Sequence, residues 1–157
     1  MTTPEVHMEK EIIKYLSAQQ CSVQWRAFLE VFSQELTQQL TVTNLRGLMR
    51  RSGERFANQH PLPATETIAA LQEAINVVWR SQNWGGASIV EDGTRLIIKH
   101  YLSPLQSGMP EGATWASGFL EGVYEQWMHQ SGADLSLHVT QSRLADDLGT
   151  VEYSFGK

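Results

Sequence analysis

Hydrophobic residues in this chain recur every three or four positions as far as Trp79 and every second position from Ala87, with Asn83-Trp84-Gly85-Gly86 between the two regimes. A period near 3.6 marks one face of a helix and a period of 2 one face of a strand, so helices precede sheet. Just beyond the switch, Ala87 to Glu91 and Thr94 to Leu102 flank Asp92-Gly93, a dipeptide that accepts the positive φ angles of a tight type I′ turn. This predicts a β-hairpin. Leu135, Leu137 and Val139 alternate with polar residues, as do Val151, Tyr153 and Phe155, which predicts a second strand pair joined through Arg143 to Gly149. Between the pairs, Pro104, Gly108, Pro110 and Gly112 mark a loop, and Trp115, Phe119, Leu120, Val123, Tyr124 and Trp127 give a helix from about Ala113 to His129. Strands that follow one another in pairs imply an antiparallel sheet. The expected fold is α+β: about four N-terminal helices, a hairpin, a long helix, and a second hairpin completing a four-stranded antiparallel sheet.

The helical half divides at caps and prolines. Residues 1–20 form a polar arm in which Met8, Ile12, Ile13 and Leu16 trace a narrow apolar stripe on a short helix. A free monomer gains little by docking such a stripe, whereas a partner chain can cover it. Residues 21–157 are expected to form one α+β domain. From Ser22 onward, Trp25, Phe28, Leu29, Phe32, Leu36 and Leu40 lie on one helical face, the strongest such pattern in the chain. A further helix begins near Thr43, carries Leu45, Leu48, Met49 and Phe56, and ends at His60-Pro61-Leu62-Pro63. Another opens after Thr65, whose hydroxyl is placed to cap exposed amides, and runs through Ile68, Leu71, Ile75, Val78 and Trp79.

Several function classes are excluded or disfavoured. The longest apolar runs, such as Ile68-Ala69-Ala70-Leu71, fall far short of the roughly 20 residues needed to cross a bilayer. The start, Met-Thr-Thr-Pro-Glu-Val-His-Met-Glu-Lys-Glu, lacks a basic segment followed by an apolar stretch, so the cytoplasm is the expected compartment. A lone Cys21 agrees with that expectation. Seventeen acids oppose twelve bases, and residues 91–157 hold nine of those acids against four bases. Phosphate backbones need a dense basic field, so nucleic acid is not an expected partner.

Catalytic chemistry finds few candidates. His7, His60, His100, His129 and His138 form no cluster at metal-ligand spacing, and one cysteine cannot build a multi-cysteine zinc site; neither a metal nor a cofactor is expected. His100 and His138 lie on predicted strands that could bring them together across the sheet, but they read first as surface or hydrogen-bonded residues. Asp146-Asp147 reads as a turn, and Glu121 with Glu125 as a solvated helical face. Gly85-Gly86 lacks the signature of a phosphate loop, and Ser103-Pro104 and Ser117-Gly118 lack the context of a nucleophile elbow. No catalytic residue is predicted. Arg46, Arg50, Arg51 and Arg55 read as a solvated, ion-paired face, with an anionic partner or an assembly contact as alternatives. Gly118 and Gly122 remove side chains from one helical stripe and admit a close backbone, within the chain or from another subunit. Trp84 is a candidate exposed platform, with a core position favoured.

Asn83-Trp84-Gly85, the hairpin after it, Thr114-Trp115 and Leu120-Glu121-Gly122-Val123-Tyr124-Glu125-Gln126-Trp127 together resemble the family of bacterial cellulose synthase D subunits, also called cellulose biosynthesis protein D, over about Trp25 to Tyr153. The resemblance implies a non-catalytic α+β subunit assembling as a ring-shaped octamer built from dimers, with N-terminal segments lining internal passages. It implies a role in ordered export of crystalline cellulose, beside a membrane synthase that makes the polymer. In one picture nascent glucan chains thread the passages; in the other, rings stack with a proline-rich accessory protein into an intracellular scaffold that aligns synthase complexes. The absence of a visible leader favours the scaffold, close to the inner membrane. By that resemblance Met8, Ile12, Ile13 and Leu16 belong to the oligomer interface or glucan passage, and Trp84, Gly85, Trp115, Gly118, Gly122, Tyr124 and Trp127 to packing or interface. The order of elements also resembles vinyl-reductase-like domains, which would make a dimer enclosing a small hydrophobic ligand, and a small hydrolase acting on glucan ranks last.

Overall fold

Four helices, α1 (Pro4–Gln19), α2 (Val23–Gln39), α3 (Val42–Gln59) and α4 (Ile68–Gln82), make up the N-terminal half of a computed structural model that describes residues 4–112 and 114–157. Three of them start on hydroxyl caps. Ser22 accepts from the Trp25 amide, Thr41 from the Asn44 amide and Thr67 from the Ala70 amide, each capturing a donor that the first helical turn leaves unpaired. The cap of α4 is therefore Thr67 and not Thr65. A capping hydroxyl reaches the amide three residues on, and the chain after Pro61 does not turn helical until Ile68. At its other end α4 stops on Asn83 in the left-handed conformation, φ 55° and ψ 42°.

That reversal feeds Gly85, whose φ of +75° and closeness to the second strand both demand glycine: a Cβ there would sit 1.9 Å from the Tyr101 carbonyl oxygen. Strands β1 (Gly86–Asp92) and β2 (Arg95–Tyr101) then form the expected hairpin. Asp92 pairs with Arg95, so the central turn residues are Gly93 and Thr94. Of these only Gly93 has positive φ (+63°), the pattern of a type II′ turn and not the type I′ expected from Asp92-Gly93.

A short helix α5 (Leu105–Gly108) and a 3-10 turn (Pro110–Gly112) occupy the predicted loop. Ala113, where the next helix was expected to begin, lies outside the described residues. Helix α6 spans Gly118–Gln130, with Thr114 to Ser117 in turns before it. Strands β3 (His138–Arg143) and β4 (Val151–Gly156) complete one antiparallel sheet in the order β1-β2-β4-β3. The architecture is α+β, as read from the periodicity. Leu135 and Leu137 fall outside β3, because Asp134 captures the Ser136 amide through its carboxylate and the Leu137 amide through its carbonyl, turning the chain first.

Helix α6 lies between α3 and the inner face of the sheet. Trp79, Trp115, Tyr124, Trp127, Tyr153, Ile75, Ile98 and Leu120 are fully buried around it. The α3–α6 contact is backbone against backbone: a Cβ on Gly122 would lie 2.0 Å from the Arg50 carbonyl oxygen, and one on Gly118 2.8 Å from that of Arg46. Gly53 on α3 reciprocates against Phe119. The small-residue stripe thus serves contact within the chain. No helix among the described residues is long and apolar enough to cross a membrane.

Candidate functional site

On each edge of the sheet two outward amides are capped by side chains. Gln72 and Asn76, one turn apart on α4, accept from the outward amides of Ile89 and Ala87 on β1, and the Asn76 amide group donates back to the Ala87 carbonyl. Glu125 and Glu121, one turn apart on α6, accept from the outward amides of Val139 and Gln141 on β3. The match is geometric. Four helical residues advance about 6 Å and two strand residues about 6.6 Å, so an i,i+4 pair reaches alternate amides of a neighbouring strand. Edge donors that would template pairing with another chain are occupied along these stretches.

Glu121 and Glu125 are consequently not a solvated face. Glu121 is 5% exposed and binds the guanidinium groups of Arg46 and Arg50, while Glu125 binds Arg50. Burial pulls the Arg50 guanidinium down, but its bond to Glu125 and the charges of Glu125 and Glu121 outweigh this and leave its pKa raised. For Glu125, burial pushes the carboxyl up, and the bonds from Arg50 and the Val139 amide more than reverse that, so its pKa lies below the ordinary range. Two of the four clustered arginines are thus spent inside the molecule. Arg51 and Arg55 remain on the surface.

The other polar cluster is a closed relay. Tyr124 Oη accepts from Trp79 Nε1 at 3.1 Å and stands 2.6 Å from His100 Nδ1, whose Nε2 lies 2.7 Å from the Trp84 carbonyl oxygen. A carbonyl only accepts, so Nε2 carries the proton and Nδ1 receives the tyrosine hydroxyl. Burial drives the His100 pKa down to about 4, against the opposing pull of the Trp84 carbonyl, and raises that of Tyr124 well above its ordinary value. The relay begins on an indole and ends on backbone, and His100 and Tyr124 are fully buried within it. His138 does not meet His100, because β4 runs between their strands. Asp146 turns the β3–β4 connection, accepting from the Leu148 and Thr150 amides as expected.

The residues through which the chain resembles a known family lie in this closed body. Trp115, Gly118, Gly122, Tyr124 and Trp127 are buried, the Trp127 indole donating to the His60 carbonyl. Trp84 is half-buried between Trp79 and Phe119, with ring centroids 5.8 and 5.0 Å away, and is a wall of the core instead of an exposed platform.

An open surface lies elsewhere. Leu36 of α2 packs on the core, but Trp25, Phe28 and Phe32 on the same helix are 58%, 52% and 44% exposed. The three rings form one ladder, Trp25 edge-on to Phe28 at 5.8 Å and Phe28 stacked on Phe32 at 5.6 Å. On α1, Met8, Ile12 and Leu16 are each more than half exposed, Tyr15 likewise, and Ile13 is half-buried. Few bonds fasten α1: Ser107 Oγ donates to the Ser17 carbonyl at 3.1 Å, and the Arg26 guanidinium donates to the carbonyls of Ala18 and Cys21. The ladder is one contiguous, exposed aromatic surface. The α2 ladder was missed as a site in the sequence, since an amphipathic stripe reads identically whether it faces a core or another chain.

Comparison with known proteins agrees with the motif-level resemblance. The family model for the D subunit of cellulose synthase matches residues 11–154. Proteins called cellulose synthase operon protein D, from Komagataeibacter xylinus and from Komagataeibacter sucrofermentans, are each 30% identical over 128 residues, covering 79% of this chain and 82% of theirs. With the match running from the middle of α1 into β4, the chain belongs to the family of cellulose synthase D subunits.

Proposed function

We propose that this protein is a non-catalytic accessory subunit of cellulose synthesis that works by assembling with copies of itself, as a ring-shaped octamer built from dimers. Residues 1–20 act as the assembly arm and residues 21–157 as the body. The observation that carries this reading is the uncovered Trp25-Phe28-Phe32 ladder, a large aromatic surface on a helix whose adjoining stripe, Leu29, Ser33 and Leu36, is turned toward the body. Met8, Ile12, Ile13 and Leu16 add a second apolar strip. The capped amides on both sheet edges support the same view by disfavouring strand-to-strand pairing there.

The ring acts as a scaffold in the cytoplasm that aligns synthase complexes at the inner membrane and so promotes ordered export and crystallisation of the polymer. A proline-rich accessory protein is its partner, because extended proline helices dock against aromatic-lined surfaces. In the other arrangement nascent glucan passes along the N-terminal segments. Light scattering coupled to gel filtration tests the assembly. Eight copies of a 17.7 kDa chain give about 142 kDa, and a stable species at or below about 35 kDa overturns the ring. Trp25→Glu combined with Phe28→Glu is expected to reduce the particle to dimers or monomers that remain folded by circular dichroism.

A further inference from the structure

Helix α1 is tied to the rest of the chain near its C-terminal end, where the Ser17 carbonyl accepts from Ser107 and the Ala18 carbonyl from Arg26. Among the described residues, the side chains from Glu5 to Tyr15 make no hydrogen bond or ion pair outside the helix, and Lys14 meets Glu11 within it at 3.5 Å. None of its apolar residues joins the core. A helix of 16 residues is marginal in water without packing, so α1 needs a surface to lie against. Its sequence says what kind. Met8, Ile12, Tyr15 and Gln19 follow one another at steps of four, three and four. At 3.6 residues per turn they stay within about 60° of one another, a seam one residue wide, and all four are exposed. A wide stripe suits a core, whereas a narrow seam with this alternation is the pattern by which one helix meets another. Ile13 lies off the seam, about 100° round from Ile12, and is half-buried.

Charge sets the direction of the pairing. Residues 4–11 hold Glu5, Glu9 and Glu11 against Lys10, while residues 12–19 hold Lys14 and no acid. Parallel copies would set acidic half on acidic half. Antiparallel copies set each acidic half on the partner's basic half, with the helix dipoles opposed. We propose, resting on the assembly by copies put forward above, that α1 pairs antiparallel with α1 of a second copy about a two-fold axis. Ile12 packs on the partner's Tyr15 and Met8 on the partner's Gln19, and symmetry repeats both layers in reverse. Such a contact closes on itself and makes dimers. The Trp25-Phe28-Phe32 ladder of α2 is then left to join dimers into a larger particle.

Disulfide trapping tests the pair in the full chain with Cys21→Ser as background. Met8 and Gln19 stand eleven residues apart on one helix, about 16 Å, too far to bridge within a chain. Mild oxidation of the Met8→Cys, Gln19→Cys variant is expected to give a covalent dimer on a non-reducing gel, and neither single variant is expected to give one. Both positions are exposed, so the variants are expected to keep their fold by circular dichroism. A covalent dimer from Met8→Cys alone means parallel helices and overturns the proposal. Covalent species larger than a dimer overturn the two-fold closure, and with it the proposal. No covalent species from the double variant, while light scattering still reports a large particle, also overturns the pair and leaves assembly to the ladder. A covalent dimer in a sample whose particle stays at or below about 35 kDa upholds the pair and removes the ring.

Discussion

Helices α2 and α6 carry apolar stripes of similar quality, yet the aromatic ladder of one is left bare and the apolar residues of the other are covered. Around α6, glycines bring the α3 backbone into contact, the sheet covers the remaining apolar face, and two carboxylates on its rim close the edge of β3. Around α2, Leu36 reaches the core while Trp25, Phe28 and Phe32 face outward. The difference lies in what surrounds each helix in the chain. Amphipathicity dictates that a face be covered; only the rest of the fold decides whether this chain or another one covers it.

The sharpest way to break this comparison is to attack the sealed region. Gly122→Ala places a methyl 2.0 Å from the Arg50 carbonyl oxygen, where backbone stands on both sides and no side chain can swing away. A loss of about 4 kcal/mol or more is expected, enough to unfold many domains of this size, and urea denaturation reads it. A milder result would mean that α3 and α6 separate more easily than a sealed body allows.

Acid offers a second lever on the same region. His100 is held neutral with a pKa of about 4, against about 6.5 in an unfolded chain. Between those values the unfolded state binds the proton and the native state does not. The contribution is therefore fully present above about pH 6.5 and is lost as pH falls toward 4, by up to about 3 kcal/mol. His100→Gln should flatten that slope in pH-dependent thermal denaturation, and an unchanged slope would move the acid sensitivity elsewhere. Glu121→Gln should cost about 2 kcal/mol at neutral pH. It removes the charge shared by Arg46 and Arg50 while keeping an acceptor for the Gln141 amide, and these guanidiniums are partly solvated. Chemical denaturation of the single and Arg46→Gln double variants would expose their coupling.

How far the sequence revealed each region follows from the range of the interactions. Period and local chemistry placed the helices, the hairpin and the Asp146 turn, since capping hydroxyls, glycines and alternating side chains act within a few residues. They missed by one or two positions where two local options compete, as for Thr65 against Thr67 and for the centre of the turn at Gly93 and Thr94. The pairing of Arg46 and Arg50 with Glu121 joins residues more than seventy positions apart, and nothing local distinguishes it from two solvated faces. The i,i+4 carboxylates carried the right spacing for an edge clamp, but the strand they clamp is named only by the fold. Gly118 and Gly122 announced a close backbone without saying whose it was. The bare ladder on α2 was visible as a pattern and invisible as a surface.

The smallest expected effect on stability tests the open region most directly. Deleting residues 1–18 removes most of α1 together with the Ser17 carbonyl that accepts from Ser107 and the Ala18 carbonyl that accepts from Arg26. Ser22 and its cap on α2 remain, and the buried body loses none of its large fully buried side chains. One of these contacts is exposed and the other only partly buried, so the truncated chain should unfold within about 1 kcal/mol of the intact one. Its assembly should nonetheless weaken, because Met8, Ile12 and Leu16 contribute apolar surface that the monomer leaves in water. Light scattering over a dilution series separates the two outcomes. An oligomer unchanged on dilution would sink the arm as an assembly element and leave the Trp25 ladder as the surface to test. A body that loses several kcal/mol would show that α1 belongs to the sealed region after all, and the contrast between the two halves would have to be redrawn at α2.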